Sequence, residues 1–199
     1  FVAKNDDFLA FCKEISEICF ISKGDIEKIN KKKMKNDIFV KDNLIDLISK
    51  IGEKITLRRA KFYEKKKGKN FFYVHNSIEK NIGKIISVVN VDNIKDDQLD
   101  LGNKLAMHIA ALNPLAIDKT GLKKETLDKE LEIIKAELEN SGKKTEMIEK
   151  ISIGKLNKFI SDNTLLNQIW IMDPKKKVSD VLKDIKIIDF TRYKVGEGV

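Results

Sequence analysis

The 199-residue sequence predicts an α+β protein, and three observations support this fold class. Apolar residues recur at helical spacing in several segments of both halves. Between them lie runs rich in β-branched and aromatic residues, bounded by turn residues. One long segment, 123–160, has only a narrow apolar seam, as in an antiparallel helical hairpin. We therefore predict two subdomains of antiparallel sheet packed with helices, plus a protruding helical hairpin.

The first half should begin with two helices. Over residues 4–21 the apolar positions step by three or four and share one face: Phe8, Phe11, Cys12, Ile15, Ile18 and Cys19. A basic connection leads to a second, shorter pattern made of Leu44, Leu47, Ile48 and Ile51. Gly52 follows directly, and glycine is the usual residue at the end of a helix. Each helix should pack on a core through one stripe.

Three strand-like runs follow, over residues 54–64, 70–75 and 82–91. Gly68 and the segment 76–80 supply turn residues between them. Consecutive strands joined by short turns usually pair with their neighbours. We therefore predict an antiparallel meander.

The second half should start with a helix capped by Asp96 or Asp97 and ended by Asn113-Pro114. The hairpin 123–160 comes next and should project from the body. A short helix near 178–182 and a strand over 187–195 complete the chain. The predicted domains are 1–95 and 96–199, the second including the hairpin.

Composition limits the classes of partner and the cellular compartment that we expect for this protein. The formal net charge is +8, but the short lysine runs are scattered and 31 acidic residues are interspersed. This distribution favours a solvated surface over a nucleic-acid footprint. No run approaches the roughly 18 apolar residues of a membrane span, and no secretory signal is visible at the start. Cys12 and Cys19, seven residues apart on a predicted helix, are too far apart for a disulfide and indicate reduced thiols.

The sequence lacks the residue patterns of catalytic and cofactor sites. It has no phosphate-binding glycine loop, no nucleophile elbow and no metal-ligand spacing, so we expect no cofactor and no metal. His108 lies on an apolar helix stripe, which favours a core histidine. His75 ends a strand beside a turn, where a contact role and a structural role are equally supported. Trp170 lies in a run that is apolar on both faces, so part of it should be core while Ile171-Met172 could anchor another protein.

Several short motifs, taken in order, resemble the elongation factor Ts family. The start Phe1-Val2-Ala3-Lys4-Asn5 is similar to the end of the family's opening signature, whose Thr-Asp would precede Phe1. Further matches span essentially the whole chain: Lys50-Ile51-Gly52-Glu53, Leu57-Arg58-Arg59, Tyr73-Val74-His75, Met107-His108-Ile109-Ala110-Ala111, Gly154-Lys155-Leu156, Asp173-Pro174 and Val195-Gly196-Glu197-Gly198.

The resemblance implies a translation elongation factor that promotes GDP release from elongation factor Tu by binding, not an enzyme. By the same resemblance the partner-binding residues would be Phe1 and Val2 at the start, Ile51 and His75 in the core, and Ile171 and Met172 against the partner's third domain. The family's N-terminal helical domain and any C-terminal module have no counterpart in this sequence, so we expect weaker exchange than from a full-length form.

The alternative function is a basic RNA-binding or ribosome-associated domain, suggested by charge and loop lysines. It lacks an aromatic stacking motif beyond Phe71-Phe72-Tyr73. The resemblance implies elongation factor Tu as the partner. We expect no direct nucleic acid and no membrane, and we leave a homodimer open. The expected location is the cytoplasm, or an organelle matrix if a targeting peptide lies upstream.

Overall fold

The computed structural model describes residues 2–64, 68–140 and 145–198. The chain forms two compact units. The first comprises Phe1–Lys66 and Val74–Lys84, and the second comprises Lys67–Tyr73 and Ile85–Val199. The predicted division into domains 1–95 and 96–199 stays a prediction.

The first unit is built on three helices: α1 (Asp6–Ile21), α2 (Ile26–Asn30) and α3 (Val40–Ile51). Side chains cap the first two, because Asn5 accepts a hydrogen bond from the Phe8 amide at 3.0 Å and Asp25 accepts one from the Lys28 amide at 3.1 Å. Gly52 ends α3 in the left-handed region, with φ of 78°. The predicted helices over 4–21 and 44–51 are confirmed, whereas α2 was not predicted.

A small apolar cluster holds these helices together. Its buried residues come from all three helices and the loop before α3: Ile15, Ile18, Ile29, Met34 and Val40. Ile29 and Val40 are fully buried. The helical stripe predicted for α1 therefore faces a core, as expected.

The predicted strand over 54–64 is wrong. The structure assigns neither helix nor strand to residues 54–64. A run rich in β-branched and aromatic residues suggested a strand, but Leu57 and Ala60 instead pack against the helical cluster of the first unit. Such residues can be buried against helices, which requires no sheet pairing.

The described residues form one three-stranded sheet in the order β1-β2-β3. Its strands are β1 (Lys69–Glu79), β2 (Ile82–Asp92) and β3 (Lys186–Lys194). β2 and β3 are antiparallel, with a register shift between Asn90 and Val91. The turn predicted over 76–80 is corrected: β1 continues through Glu79, and Lys80-Asn81 alone connect the strands. Asn81 makes this turn with φ of 64°, a conformation that asparagine tolerates better than most residues.

The helix that supports the sheet, α4 (Leu99–Leu112), starts differently from the prediction. Asp96 and Asp97 lie inside a preceding 3₁₀ turn and do not cap α4. Gln98 accepts a hydrogen bond from the Lys95 amide at 3.1 Å, while Asp96 pairs with Lys69 at 2.6 Å. α4 ends at Asn113, as predicted, in the left-handed region.

Two polar links join α4 to the sheet within the second unit. The buried Ser87 hydroxyl on β2 donates to the Ala106 carbonyl at 2.6 Å. The Arg192 guanidinium on β3 donates to the Ala110 carbonyl at 2.9 Å and also pairs with Glu197 at 2.9 Å. Around these links lies the main apolar core, which includes Phe71, Val89, Val91, Leu105, Ile109, Leu165, Trp170 and Val178.

The predicted hairpin is present as α5 (Lys124–Asn140) and α6 (Thr145–Asn163). The two helices meet along two apolar clusters that are separate from the main core. One joins Leu127 and Leu156 near Ile160, and the other joins Leu138 and Ile148. Residue numbers rise along one arm as they fall along the other, so the helices are antiparallel. A short helix, α7 (Val178–Leu182), precedes β3 as predicted.

Two helical glycines should respond oppositely to alanine. A Cβ at Gly102 in α4 would lie 2.6 Å from the Phe71 ring, whereas a Cβ at Gly154 in α6 would meet nothing within 4 Å. We expect Gly154→Ala to raise the free energy of unfolding by about 1 kcal/mol, the helix preference of alanine over glycine. Gly102→Ala should lower it by roughly 1–2 kcal/mol, since overpacking outweighs that gain.

Urea denaturation of the two variants beside the parent measures both effects. Because the substitution is the same in each case, helix preference cancels in the comparison. A Gly102→Ala variant as stable as Gly154→Ala would contradict the close packing of α4 on Phe71.

Candidate functional site

An exposed apolar turn lies in the second unit, within the loop 168–178. Ile171 is 38% exposed and Met172 is 44% exposed. The flanking residues form an antiparallel bridge between Ile169 and Lys177. The Trp170 amide donates to the Lys176 carbonyl at 2.9 Å, and the Val178 amide donates to the Gln168 carbonyl at 3.0 Å. The loop is therefore closed by backbone hydrogen bonds below the turn.

Asp173 fixes the far side of the same turn. Its amide donates to the Trp170 carbonyl at 3.1 Å, and its carboxylate accepts from the Lys175 amide at 3.1 Å. The Lys176 ammonium lies 3.0 Å from the same carboxylate. The hydrogen bonds from Lys176 and from the Lys175 amide hold the pKa of Asp173 below its usual value. These bonds restrict the turn that presents Ile171 and Met172.

Trp170 anchors the loop to α4. Its side chain is only 4% exposed and belongs to the main core of the unit. The indole stacks on the imidazole of His108, with ring centroids 5.1 Å apart and planes 20° from parallel. The prediction that part of this run is core is confirmed. The Ile171-Met172 pair is partly exposed, and its role as an anchor for another protein stays a prediction.

His108 holds the loop through both ring nitrogens. The side chain is fully buried on α4, beside Leu105 and Ile109. Nδ1 lies 3.4 Å from the Ile171 amide, which donates to it, so Nε2 carries the proton and donates to Gln168 Oε1 at 3.0 Å. The amide of Gln168 in turn donates to the Asp162 carbonyl at 2.8 Å. The prediction of a satisfied core histidine is confirmed.

The imidazole is neutral in this arrangement. Burial lowers the pKa of His108 below its usual 6.5, and the hydrogen bond with Gln168 opposes this only in part. A protonated ring would also lose the acceptor at Nδ1 that receives the Ile171 amide. The position of the apolar turn therefore depends on an uncharged His108.

The other predicted contact residues lie in the first unit. Val2 is half-buried in a 3₁₀ turn, Val2–Lys4, just before α1. Ile51 is the half-buried last residue of α3, and His75 is exposed on β1. Phe1 lies outside the described residues. The predicted set thus falls into one group in each unit, and its role in binding stays a prediction.

The two cysteines are free thiols, as predicted. Burial raises the pKa of Cys12 to about 11 and also raises the pKa of Cys19. The thiolate is the reactive form of cysteine, so both are weak nucleophiles. Across the described ranges, no group of three or more His, Cys, Asp or Glu side chains could hold a metal ion. None of the helices in these ranges is long and apolar enough to cross a bilayer.

Sequence reasoning missed Gln168, which links His108 to the loop across 60 positions of the chain. A glutamine between apolar residues gives no periodic signal of its own. The useful indication was indirect, since a histidine on an apolar helix stripe requires buried partners for both ring nitrogens. The sequence could predict that need without identifying its partner.

Comparison with known proteins agrees with this architecture. The family model described as elongation factor TS matches residues 1–197. The elongation factor Ts of Methylobacterium nodulans is 36% identical over 210 residues, covering all of this chain and 68% of the relative. The corresponding proteins of Rickettsia massiliae and Psychrobacter sp. (strain PRwf-1) are each 36% identical and also cover the whole chain, which spans 68% and 65% of their lengths.

The fold and the exposed turn define an α+β protein with an antiparallel helical hairpin and an apolar contact loop. The matches place it more narrowly, among the translation elongation factors. The chain belongs to the elongation factor Ts family.

The neutral state of His108 gives a prediction for pH. The unfolded chain binds a proton at His108 near pH 6.5, whereas the folded protein does so only at lower pH. The unfolded state then binds more protons, so the free energy of unfolding should fall as the pH drops below about 6.5. The measurement is the urea denaturation midpoint at several pH values from about 7.5 down to about 5. This range spans the usual histidine pKa of about 6.5.

The control for the pH dependence is a variant without the His108 imidazole. His108→Phe should lose most of the slope. A slope equal to that of the parent would show that His108 is not its source.

His108→Phe tests the hydrogen bonds separately from the stacking. Phenylalanine keeps a ring against Trp170 but leaves Gln168 Oε1 and the Ile171 amide without this partner. We expect the free energy of unfolding to fall by roughly 1–3 kcal/mol, the cost of buried polar groups left unsatisfied. Chemical denaturation at pH 7.5, about one unit above the usual histidine pKa, measures it, and an unchanged midpoint would mean that stacking alone holds the loop.

Proposed function

We propose that this chain is a guanine-nucleotide exchange factor that promotes GDP release from elongation factor Tu. The observation that carries the proposal is the exposed Ile171-Met172 turn, held on a buried Trp170, in a chain that matches the elongation factor Ts family over residues 1–197. An exposed apolar pair on a restricted turn suits a protein contact, because little conformational freedom is lost on binding.

The mechanism requires only unequal binding to two states of the partner. A protein that binds the nucleotide-free GTPase more tightly than the GDP-bound form weakens GDP binding by the same factor. The described residues therefore need to supply contact energy and not bond chemistry. This fits the buried, hydrogen-bonded state of His108 and the high thiol pKa of Cys12.

The first unit would supply the second contact. We assign the partner contacts there to Phe1, Val2, Ile51 and His75, by the resemblance described above. The exposed His75 and the half-buried Ile51 are accessible to a partner. We place the protein in the cytoplasm, where a translation factor and this GTPase would meet.

The apolar turn can supply a useful share of the energy. Full burial of an Ile or Met side chain contributes about 1.5–3 kcal/mol. Since Ile171 and Met172 are 38% and 44% exposed, covering the remainder would contribute roughly 1–2 kcal/mol together. That corresponds to about a 10-fold change in an equilibrium constant.

Substitutions in the turn test the proposal. The double variant Ile171→Ser, Met172→Ser should lower the stimulated rate of GDP release about 10-fold when this chain is present below saturation. The reason is that its apolar contact to the nucleotide-free partner is lost. Release of a fluorescent GDP from elongation factor Tu measures the rate. Ile188→Ser is a matched control, since Ile188 is 43% exposed in the same unit, and it should leave the rate within about 2-fold.

Two further results bear on the proposal. Phe1→Ala should also lower the rate of GDP release if Phe1 binds the partner as the resemblance implies. An unchanged rate would mean that the apolar turn supplies the contact energy instead. Absence of any stimulation by the parent chain, combined with salt-dependent RNA binding, would overturn the proposal in favour of the RNA-binding alternative.

A further inference from the structure

The strand β1 has a corner at Asn76, next to the predicted contact residue His75. Asn76 has φ of 50°, in the left-handed region, although the strand continues beyond it to Glu79. A residue of this conformation inside a strand is typical of a β-bulge, which bends the strand and redirects neighbouring side chains. His75, Asn76 and Ser77 are all exposed, so the usual alternation of faces is absent across the corner.

Gly83 on β2 packs against the inside of this corner. A Cβ at this position would lie 2.5 Å from Val74 Cγ1 and 2.8 Å from the His75 carbonyl oxygen. It would also lie 3.3 Å from the Asn76 carbonyl oxygen. The carbonyl oxygens belong to the backbone of β1, which cannot move aside as the end of a flexible side chain can. Glycine in a strand often marks such a close approach of another backbone. The bend in β1 therefore requires glycine at position 83.

Polar contacts hold the strand on the far side of the corner. The Ser77 hydroxyl donates to the Glu79 carbonyl at 2.5 Å. The Lys13 ammonium on α1 donates to the Glu79 carboxylate at 2.8 Å, within the first unit. The corner is therefore restrained from two directions, by Gly83 on β2 and by the attachment of Glu79 to α1.

We propose that Asn76 and Gly83 are positioning residues for the partner contact of His75, an inference that rests on the proposed function. Asparagine tolerates the left-handed region better than most residues, and Gly83 leaves the space that the bent strand occupies. The corner restricts the directions open to the imidazole, so less conformational freedom is lost when a partner binds it. Neither Asn76 nor Gly83 needs to touch the partner.

Substitutions at Asn76 test the role of the backbone conformation. Asn76→Gly keeps access to the left-handed region and should leave the stimulated rate of GDP release from elongation factor Tu within about 2-fold of the parent. Asn76→Val disfavours that region, because a β-branched residue is an outlier there. It should lower the rate about 5-fold when the chain is present below saturation. An Asn76→Val variant as active as the parent would overturn the proposal.

Asn93→Val is the matched control for strain. Asn93 has φ of 59° and lies in the second unit, just after β2. The same substitution in the same backbone region should lower the melting temperature, yet it should leave the rate of GDP release within about 2-fold of the parent. A loss of exchange equal to that of Asn76→Val would show that general destabilisation causes both, and would also overturn the proposal.

A double-mutant cycle separates positioning from an independent structural role. If Asn76 acts through His75, adding Asn76→Val to His75→Ala should change the rate of GDP release by less than about 2-fold. If the two residues act independently, their effects multiply, and the double variant should be about 5-fold slower than His75→Ala. That larger loss would overturn the proposal. Gly83→Ala should show the same dependence on His75, with Gly154→Ala as its control, since a Cβ there meets nothing within 4 Å.

Nuclear magnetic resonance of the His75 ring tests the geometry without the partner. The ring signals are assigned by their loss in His75→Gln. They should shift in Gly83→Ala and stay in place in Asn76→Gly, because only the first substitution disturbs the corner. Unchanged signals in Gly83→Ala would overturn this inference alone, even if the parent stimulates GDP release. Absence of stimulation by the parent would instead overturn the proposed function, and the partner contact of His75 with it.

Discussion

The packing of Trp170 on His108 is the contact on which the exposed turn of the second unit depends. A loop that leaves Ile171 38% exposed and Met172 44% exposed gains only part of the energy of burying them, so other contacts must help to order it. That role falls to the buried indole, the imidazole stacked on it at 5.1 Å and the hydrogen bond between His108 and Gln168 at 3.0 Å. The core therefore supplies the order, and the surface retains the apolar pair.

The fold was predictable where its pattern is local. Helical spacing predicted α1, α3, α4 and the hairpin, because a stripe of apolar residues at 3.6-residue spacing falls on one face only when the segment is helical. Strand-like composition was less reliable. It identified β1, β2 and β3 but also predicted a strand over 54–64, where Leu57 and Ala60 pack on helices. β-branched and aromatic residues favour burial, but they do not by themselves provide a neighbouring strand to pair with.

The candidate site was predictable only in part. The sequence indicated that His108 is buried and that part of the run around Trp170 is core, and the structure agrees. The pairing of His108 with Gln168 was not predicted. It depends on tertiary folding, which brings together two residues that lie 60 positions apart in the chain.

The position of the lysine run 175–177 beside the apolar turn suggests a role for these charges. In the sequence it is one of several scattered basic runs, but in the loop 168–178 it follows Ile171 and Met172 closely, with Lys176 tied to Asp173. Surface ion pairs of this kind add little to stability. Charges beside an apolar contact instead discourage self-association and steer an oppositely charged partner, mainly by raising the association rate. In the proposed complex the apolar pair and the adjacent lysines would have different effects. Desolvation of Ile171 and Met172 would slow dissociation, while the basic flank would make association faster and sensitive to salt.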